Sequence, residues 1–218
     1  MTKDSGSRPP VLDVAVLCAG QSRRLGHPKQ HVELDGQTLL QRSLILAEDA
    51  LESAGSPHRP ILVSGAFLQQ DCRVLNARFS QGAINHRLNY NWRAGMSASL
   101  ACARDAALGD GLLVFLVDQY RLTHDDLEKL YRQWRKAPEK PVAASYAETE
   151  GPPVIWPRHL LKPDTTATGR HNFEQQDTPT INKSFLRSHH PVLIDIKHAA
   201  IDLDDEEDLK VAKRFFKR

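Results

Sequence analysis

A chain of 218 residues, 40% hydrophobic and 26% charged, is long enough to bury a sizeable core and has an ordinary composition for a soluble globular protein. Its formal net charge of +2 is too small to argue for nucleic acid or membrane as a partner, and it has no apolar run of about eighteen residues to span a bilayer. Three widely spaced cysteines, Cys18, Cys72 and Cys102, suggest neither a disulfide framework nor a zinc site, and they fit a reducing cytoplasm.

Residues 1–10 are polar, carry Pro9-Pro10 and lack the apolar core of a signal peptide. Residues 1–11 therefore read as a flexible tail, and 12–218 as a single domain. The apolar run Val14 to Cys18 stops at Ala19-Gly20 and reads as a buried parallel strand. Leu39, Leu40, Leu44, Ala47, Leu51 and Ala54 recur at helical spacing over 37–54, and Gly55 closes that helix. A strand over 60–64 ends in Gly65, a helix follows over 66–77, and a strand over 84–89 leads into the loop Asn91 to Gly95. Residues 97–108 are alanine-rich and helical. Leu112 to Val117 is the most apolar run, which predicts a central strand terminating at Asp118. Thr123 caps a helix running to about Lys136, with Asp125 and Asp126 in its first turn.

Beyond Pro138 the pattern predicts strands at 142–146 and 154–156, then a polar irregular loop over 162–183. Short strands are expected at 191–196 and 199–203. A last helix starts near Asp204, and its acidic first turn and basic end suit the helix dipole. Strands and helices alternating at this spacing build βαβ units. The fold class is therefore α/β, a Rossmann-like, mainly parallel sheet with helices on both faces. Ligands of such sheets sit at the carboxyl ends of the strands, where the loop after Cys18 and Asp118 both lie.

That loop combines main-chain donors with Arg23, Arg24 and Lys29, which is what a polyphosphate needs. The same residues would also suit a plain strand-to-helix turn with solvated arginines. Two common phosphate loops are excluded. Ala19-Gly20-Gln21-Ser22-Arg23 breaks G-x-G-x-x-G, and Gly20 and Gly26 stand one residue too far apart for a P-loop, with His27 in place of its lysine. A carboxylate at Asp118 would face the phosphates, and magnesium takes one or two such carboxylates plus substrate phosphates. A loop or capping aspartate is the other reading. The ten histidines show no ligand spacing.

The loop resembles the signature L-A-A-G-x-S-x-R-M-G-x-x-K, on which Leu17, Ala19, Gly20, Ser22, Arg24, Gly26 and Lys29 fall, with Cys18 and Leu25 departing mildly. It is the signature of nucleotidyltransferases similar to molybdopterin guanylyl- and cytidylyltransferases. Asn89 to Leu100 resembles that family's N-x-x-W-x-x-G-M-x-x-S-L, which lies beside base and ribose. The resemblance implies that Asn91, Gly95 and Ser97 bind nucleotide, Gly95 by permitting close approach and Ser97 or Ser99 through a hydroxyl. A serine N-cap is the alternative. Asp118-Gln119-Tyr120 stands at the family's D-Q-P, whose aspartate binds metal; Tyr120 replaces the proline near the acceptor. Ile201 to Leu209 resembles D-I-D-T-P-E-D-L, which makes Asp202 a second metal-ligand candidate, although an acidic first turn stabilises a helix by about 0.3–1 kcal/mol per charge with no metal. Gly151 to Pro157 resembles G-H-P-V-L-F-P with Pro152 for histidine, and Thr168-Gly169-Arg170-His171 is at most a remnant of G-D-x-G-A-R.

The resemblance implies a nucleotide-diphospho-sugar transferase-like fold, Mg²⁺ as cofactor, and an NTP held by Leu17, Ala19, Gly20, Ser22, Arg24, Lys29, Asn91, Gly95 and Ser97. Arg24, Lys29 and Asp118 would be catalytic, and Asp118 and Asp202 would hold the metal. The reaction would move an NMP to a phosphorylated small-molecule acceptor, with the molybdenum–pterin cofactor leading and a recipient molybdoenzyme as a further partner. Leu-Cys-Ala-Gly and Gly-Met-x-x-Ser-Leu resemble the cytidylyl branch, which favours CTP. Two alternatives stay open: a non-catalytic nucleotide- or cofactor-binding protein of the same fold, and a transferase acting on another acceptor such as a sugar phosphate.

Overall fold

The structure is a computed structural model that describes residues 8–161 and 183–216. Strand β1 (Leu12–Leu17) is buried along its whole length. It can be so apolar because it lies inside a sheet covered on both faces. After it come a 3₁₀ turn (Lys29–His31) and a small hairpin, β2 (Glu33–Leu34) with β3 (Gln37–Thr38). The hairpin turns at Asp35-Gly36, both left-handed at φ 52° and 73°, and this Asp-Gly pair is the local signal for it. Thr38 and Gln41 then form a capping box at the start of α1 (Leu39–Ser53).

The chain continues through β4 (Ile61–Ser64), α2 (Leu68–Arg78), β5 (Asn85–Leu88), a 3₁₀ turn (Trp92–Ala94) and α3 (Met96–Ala106). Strand β6 (Gly111–Leu116) leads to α4 (His124–Trp134), β7 (Val142–Tyr146), β8 (Thr149–Pro157) and the short α5 (Arg158–Leu161). The last described elements are α6 (Lys183–Ser188), β9 (Val192–Asp195) and α7 (Glu206–Phe216).

The seven-stranded sheet has the order β5-β4-β1-β6-β8-β7-β9. Strands β5, β4, β1 and β6 are parallel neighbours, β8 runs antiparallel to both β6 and β7, and β9 is parallel to β7. Alternate residues of β1 serve opposite faces. Val14 and Val16 pack with Leu40 and Leu44 of α1, Leu130 and Trp134 of α4, and Leu209 of α7. Ala15 and Leu17 pack with Leu100 and Ala103 of α3, Leu161 of α5 and Leu186 of α6. Helices therefore cover both faces of a mostly parallel sheet. Asp13 interrupts β1 with a buried charge, which is satisfied: its Oδ2 accepts from the Leu108 amide at 2.8 Å, and its Oδ1 lies 2.8 Å from His58 Nδ1.

Three expectations need correction. Residues 199–203 are not a strand. Lys197–Ala200 form a 3₁₀ turn, and the Leu203 amide then donates to the Asp118 carbonyl at 3.2 Å instead of joining a ladder. Strand β8 is longer than 154–156, because its first half pairs with β7 through Tyr146–Thr149. Helix α3 begins at Met96 with Gly95 as its N-cap, so Ser97 is not a capping residue. The loop read over 162–183 and the Thr168 to His171 remnant lie outside the described residues up to 182; Lys183 already belongs to α6.

Candidate functional site

The carboxyl ends of β1 and β6 open into a cleft of about 220 Å³. Its lining includes Leu17, Cys18, Ala19, Gly20, Ser22, Lys29, Trp92, Gly95 and Asp118. The loop after β1 is pinned at both ends. Ser22 sits in the left-handed region at φ 53°, and its Oγ accepts from the Lys29 amide at 3.1 Å. The Gly26 amide donates to the Ser22 carbonyl at 3.1 Å, which folds the arginines outward. On the far side, Gly65 brings the end of β4 against this loop. A Cβ there would stand 2.6 Å from the Ala19 carbonyl oxygen and 2.8 Å from Trp92 Cβ, so only glycine fits. Gly95 is different: among the described residues nothing beyond its immediate chain neighbours comes within 4 Å of its Cβ position, and what demands glycine is its φ of 95°.

Lys29 and Asp118, 89 residues apart, meet at the mouth. Lys29 Nζ donates to Asp118 Oδ2 at 2.6 Å and to Asp204 Oδ1 at 2.7 Å. Arg24 donates to Asp204 from the solvent side. Burial alone would lower the Lys29 pKa, but the Asp118 and Asp204 carboxylates outweigh it and hold the ammonium above the ordinary lysine value. Burial raises Asp204 as well, and there the Lys29 and Arg24 contacts win and hold it low. Asp202 goes the other way. Burial, then the like charges of Asp204 and Asp118, raise its carboxyl.

Of the nucleotide-binding candidates, Leu17, Ala19, Gly20, Ser22, Lys29 and Gly95 line the cleft. Arg24, Asn91 and Ser97 do not. Arg24 is exposed and, among the described residues, reaches the site through Asp204. Asn91 is exposed beside the cleft-lining Trp92, its amide donating to Asn89 Oδ1 at 2.9 Å. The hydroxyl that reaches the lining is Ser99, which accepts from Asn89 Nδ2 at 3.0 Å. Asp202 lies near Asp118 without lining the cleft.

Two residues were not singled out from the sequence. Asp204 was hidden in an acidic run whose members look alike. The structure divides that run: Asp205 Oδ1 accepts from the Glu207 and Asp208 amides at 2.9 and 3.0 Å and caps α7, which leaves Asp204 for the cations. Gln119 is the other. Its Oε1 accepts from the Leu116 amide at 3.1 Å, and its Nε2 donates to the carbonyls of Pro152 at 2.8 Å and Ala199 at 3.1 Å. It ties β6, β8 and the 197–200 turn together beneath the acids.

The donor set fits a hard divalent cation. Asp118 Oδ1 is buried with no hydrogen-bond partner among the described residues, and burial together with the like charges of Asp204 and Asp118 raises Asp202 despite Lys29 nearby. A cation would answer both. The described residues also bring His124, Asp125 and Glu128 within reach of one another on the surface at the start of α4, away from the cleft.

The profile of the family described as MobA-like NTP transferase domain matches residues 14–192. No curated protein sequence matches the chain. Among solved structures, Rv0371c of Mycobacterium tuberculosis in complex with manganese superposes with a TM-score of 0.66 at 18% identity, covering 95% of this chain and 100% of that one. Molybdopterin-guanine dinucleotide biosynthesis protein A from Archaeoglobus fulgidus gives 0.62 at 18%, over 93% and 97%. The 4-diphosphocytidyl-2C-methyl-D-erythritol synthase of Anaerococcus prevotii gives 0.67 at 13%, over 96% and 97%. Identities this low speak for the shared fold alone. The profile spans most of the chain, including the loop after β1 and the acid ending β6, and the chain belongs to the MobA-like NTP transferase family.

Proposed function

We propose that residues 12–218 form one nucleotidyltransferase domain that moves an NMP, CMP by preference, from an NTP to a phosphorylated small-molecule acceptor and releases pyrophosphate. The molybdenum–pterin cofactor is the leading acceptor, the setting is the cytoplasm, and a molybdoenzyme would receive the product. The observation that carries this reading is the contact of Lys29 with Asp118 and Asp204 at the mouth of the cleft. A cation and two acids converge where the strands end, the position that suits a triphosphate and its counter-ion. The names of similar proteins support the substrate classes: one is a molybdopterin-guanine dinucleotide biosynthesis protein, and another forms a diphosphocytidyl product.

The acceptor phosphate oxygen forms a bond to the α-phosphorus as the bond from that phosphorus to the bridging oxygen of pyrophosphate breaks. Lys29 neutralises charge on the β- and γ-phosphates as they depart, and Arg24 supports them from the rim. Asp118, with Asp202, would hold a divalent cation, for which Mg²⁺ is the choice; bound there, it supplies charge neutralisation at the α-phosphate. A structure with manganese bound exists for one similar protein. The main-chain donors of Ala19 to Ser22 orient the phosphates, so catalysis is chiefly positioning and charge stabilisation.

The acceptor side is the least family-like. Tyr120 is buried against Phe216, with ring centroids 6.2 Å apart, and Pro152 offers its carbonyl to Gln119 in place of a histidine side chain. Incubation with Mg²⁺ and each NTP, with and without the pterin cofactor or a sugar phosphate, tests the reading by pyrophosphate release. Release with CTP and pterin cofactor is expected. Binding of nucleotides with no release under any pairing would overturn it in favour of a non-catalytic binder.

A further inference from the structure

The turn that carries Lys29 is too short to hold itself. It spans three residues, Lys29–His31, and its N-cap Pro28 makes no side-chain cap. Ser22 fixes the amide of Lys29 from the front. From behind, the next two residues both reach one acid on another element. Gln30, itself buried, donates from Nε2 to Asp71 Oδ1 at 3.2 Å, and His31 Nε2 lies 2.9 Å from the same oxygen. Asp71 belongs to the first turn of α2 and is fully buried. The Cys18 thiol, at the end of β1 and in the cleft lining, points at Asp71 Oδ2 from 3.9 Å. The network continues from Cys18 to Ser64 Oγ at 3.7 Å and from Ser64 to His86 Nε2 at 2.9 Å.

A buried carboxylate is costly unless donors gather on it. Among the described residues no lysine or arginine pairs with Asp71; its side-chain donors are Gln30 of the Lys29 turn and the Cys18 thiol of the strand end, with His31 beside the same oxygen as Gln30. Placed so, it does not touch the cleft, yet it joins the floor of the cleft to the turn that presents the ammonium.

We propose that Asp71 is a positioning residue: through Gln30 and His31 it holds the Lys29 turn in place and thereby sets the affinity of the site for the triphosphate moiety of its substrate. This rests on the nucleotidyltransferase reading above. A role confined to stability would weaken every ligand alike, whereas this one selects the phosphate end.

The test is calorimetric titration of the full chain with inorganic tripolyphosphate and, separately, with cytidine or whichever nucleoside the wild type prefers. In Asp71→Asn the Kd for tripolyphosphate should rise about tenfold while that for the nucleoside changes by less than about twofold. In a Lys29→Ala background the same substitution should cause no further loss for tripolyphosphate, because the two act through one group. Gln30→Met, which keeps the buried volume and the acid but removes one donor, should show the same selectivity and serves if Asp71→Asn does not fold. Equal weakening of both ligands, unchanged tripolyphosphate binding, or an additive loss in the double variant would overturn the inference alone. A wild type that binds neither ligand would overturn the nucleotide reading and this one with it.

Discussion

Lys29 sits between two carboxylates that are far from it in the chain, and its charge is secured by them against the cost of burial. Removing one charge-stabilising group of this kind commonly costs about 10²–10³-fold in rate. Lys29→Ala and Asp118→Asn are therefore each expected to lower turnover by about that factor, with the circular dichroism spectrum unchanged. Wild-type pyrophosphate release in either variant would remove that residue from the mechanism and overturn the assignment that rests on it. Lys29 and Asp118 were legible in the sequence because each follows an apolar run that stops abruptly, and each lies on a motif of fixed spacing. Asp204 was not. Five acids stand in a row from 204 to 208, and nothing local separates the one that meets Lys29 from those that cap α7. Ser97 and Ser99 posed the same problem, and helix phase decided for Ser99.

At the scale of an element, α4 is the clearest example of local sequence building structure. Thr123 and Asp126 form a reciprocal cap, and Thr123→Ala should cost about 0.5–2 kcal/mol in chemical unfolding. Asp126 does more than the cap requires, since His198 Nδ1 lies 2.7 Å from its Oδ2 and ties α4 to the turn before the acidic run. Burial would raise the Asp126 carboxyl, but the contacts from His198 and Thr123 outweigh it and hold it below its ordinary value of 3.8. A carboxyl that titrates lower in the folded chain than in the unfolded one stabilises the fold above the unfolded value. That contribution fades as pH falls through the lower folded value. Stability measured by urea unfolding should thus drop as pH falls below about 4, and in Asp126→Asn that part of the slope should flatten. An unchanged slope would mean that the pair does not couple titration to folding. The cap was readable from Thr123 and the acids after it; the histidine, 72 residues on, was not.

The whole molecule is a sheet whose strand ends assemble one cleft, and Gln119 is where that assembly is tied. Gln119→Met keeps the volume but leaves the Pro152 and Ala199 carbonyls without this donor, each loss costing about 1–3 kcal/mol if water does not replace it. Unfolding free energy should fall by at least about 1 kcal/mol. Turnover should fall with it, because Gln119 holds the turn that precedes Asp202 and Asp204. Retained stability would show that the two carbonyls find water instead. By itself the sequence determined the alternation of strands and helices, the parallel character of the sheet, and the two chain segments whose ends carry Lys29 and Asp118. It could do so because hydrophobic period, glycine stops and caps are local properties. Only the tertiary structure decided that β8 runs antiparallel between β6 and β7, and that residues 197–204 fold back as a turn onto the end of β6. It alone also assigned Asp204 to the cations and Asp71 to the turn behind them. Apart from the local β7–β8 pairing, those outcomes rest on contacts between residues from 40 to 180 positions apart, and no local pattern encodes which distant partner a charge will find.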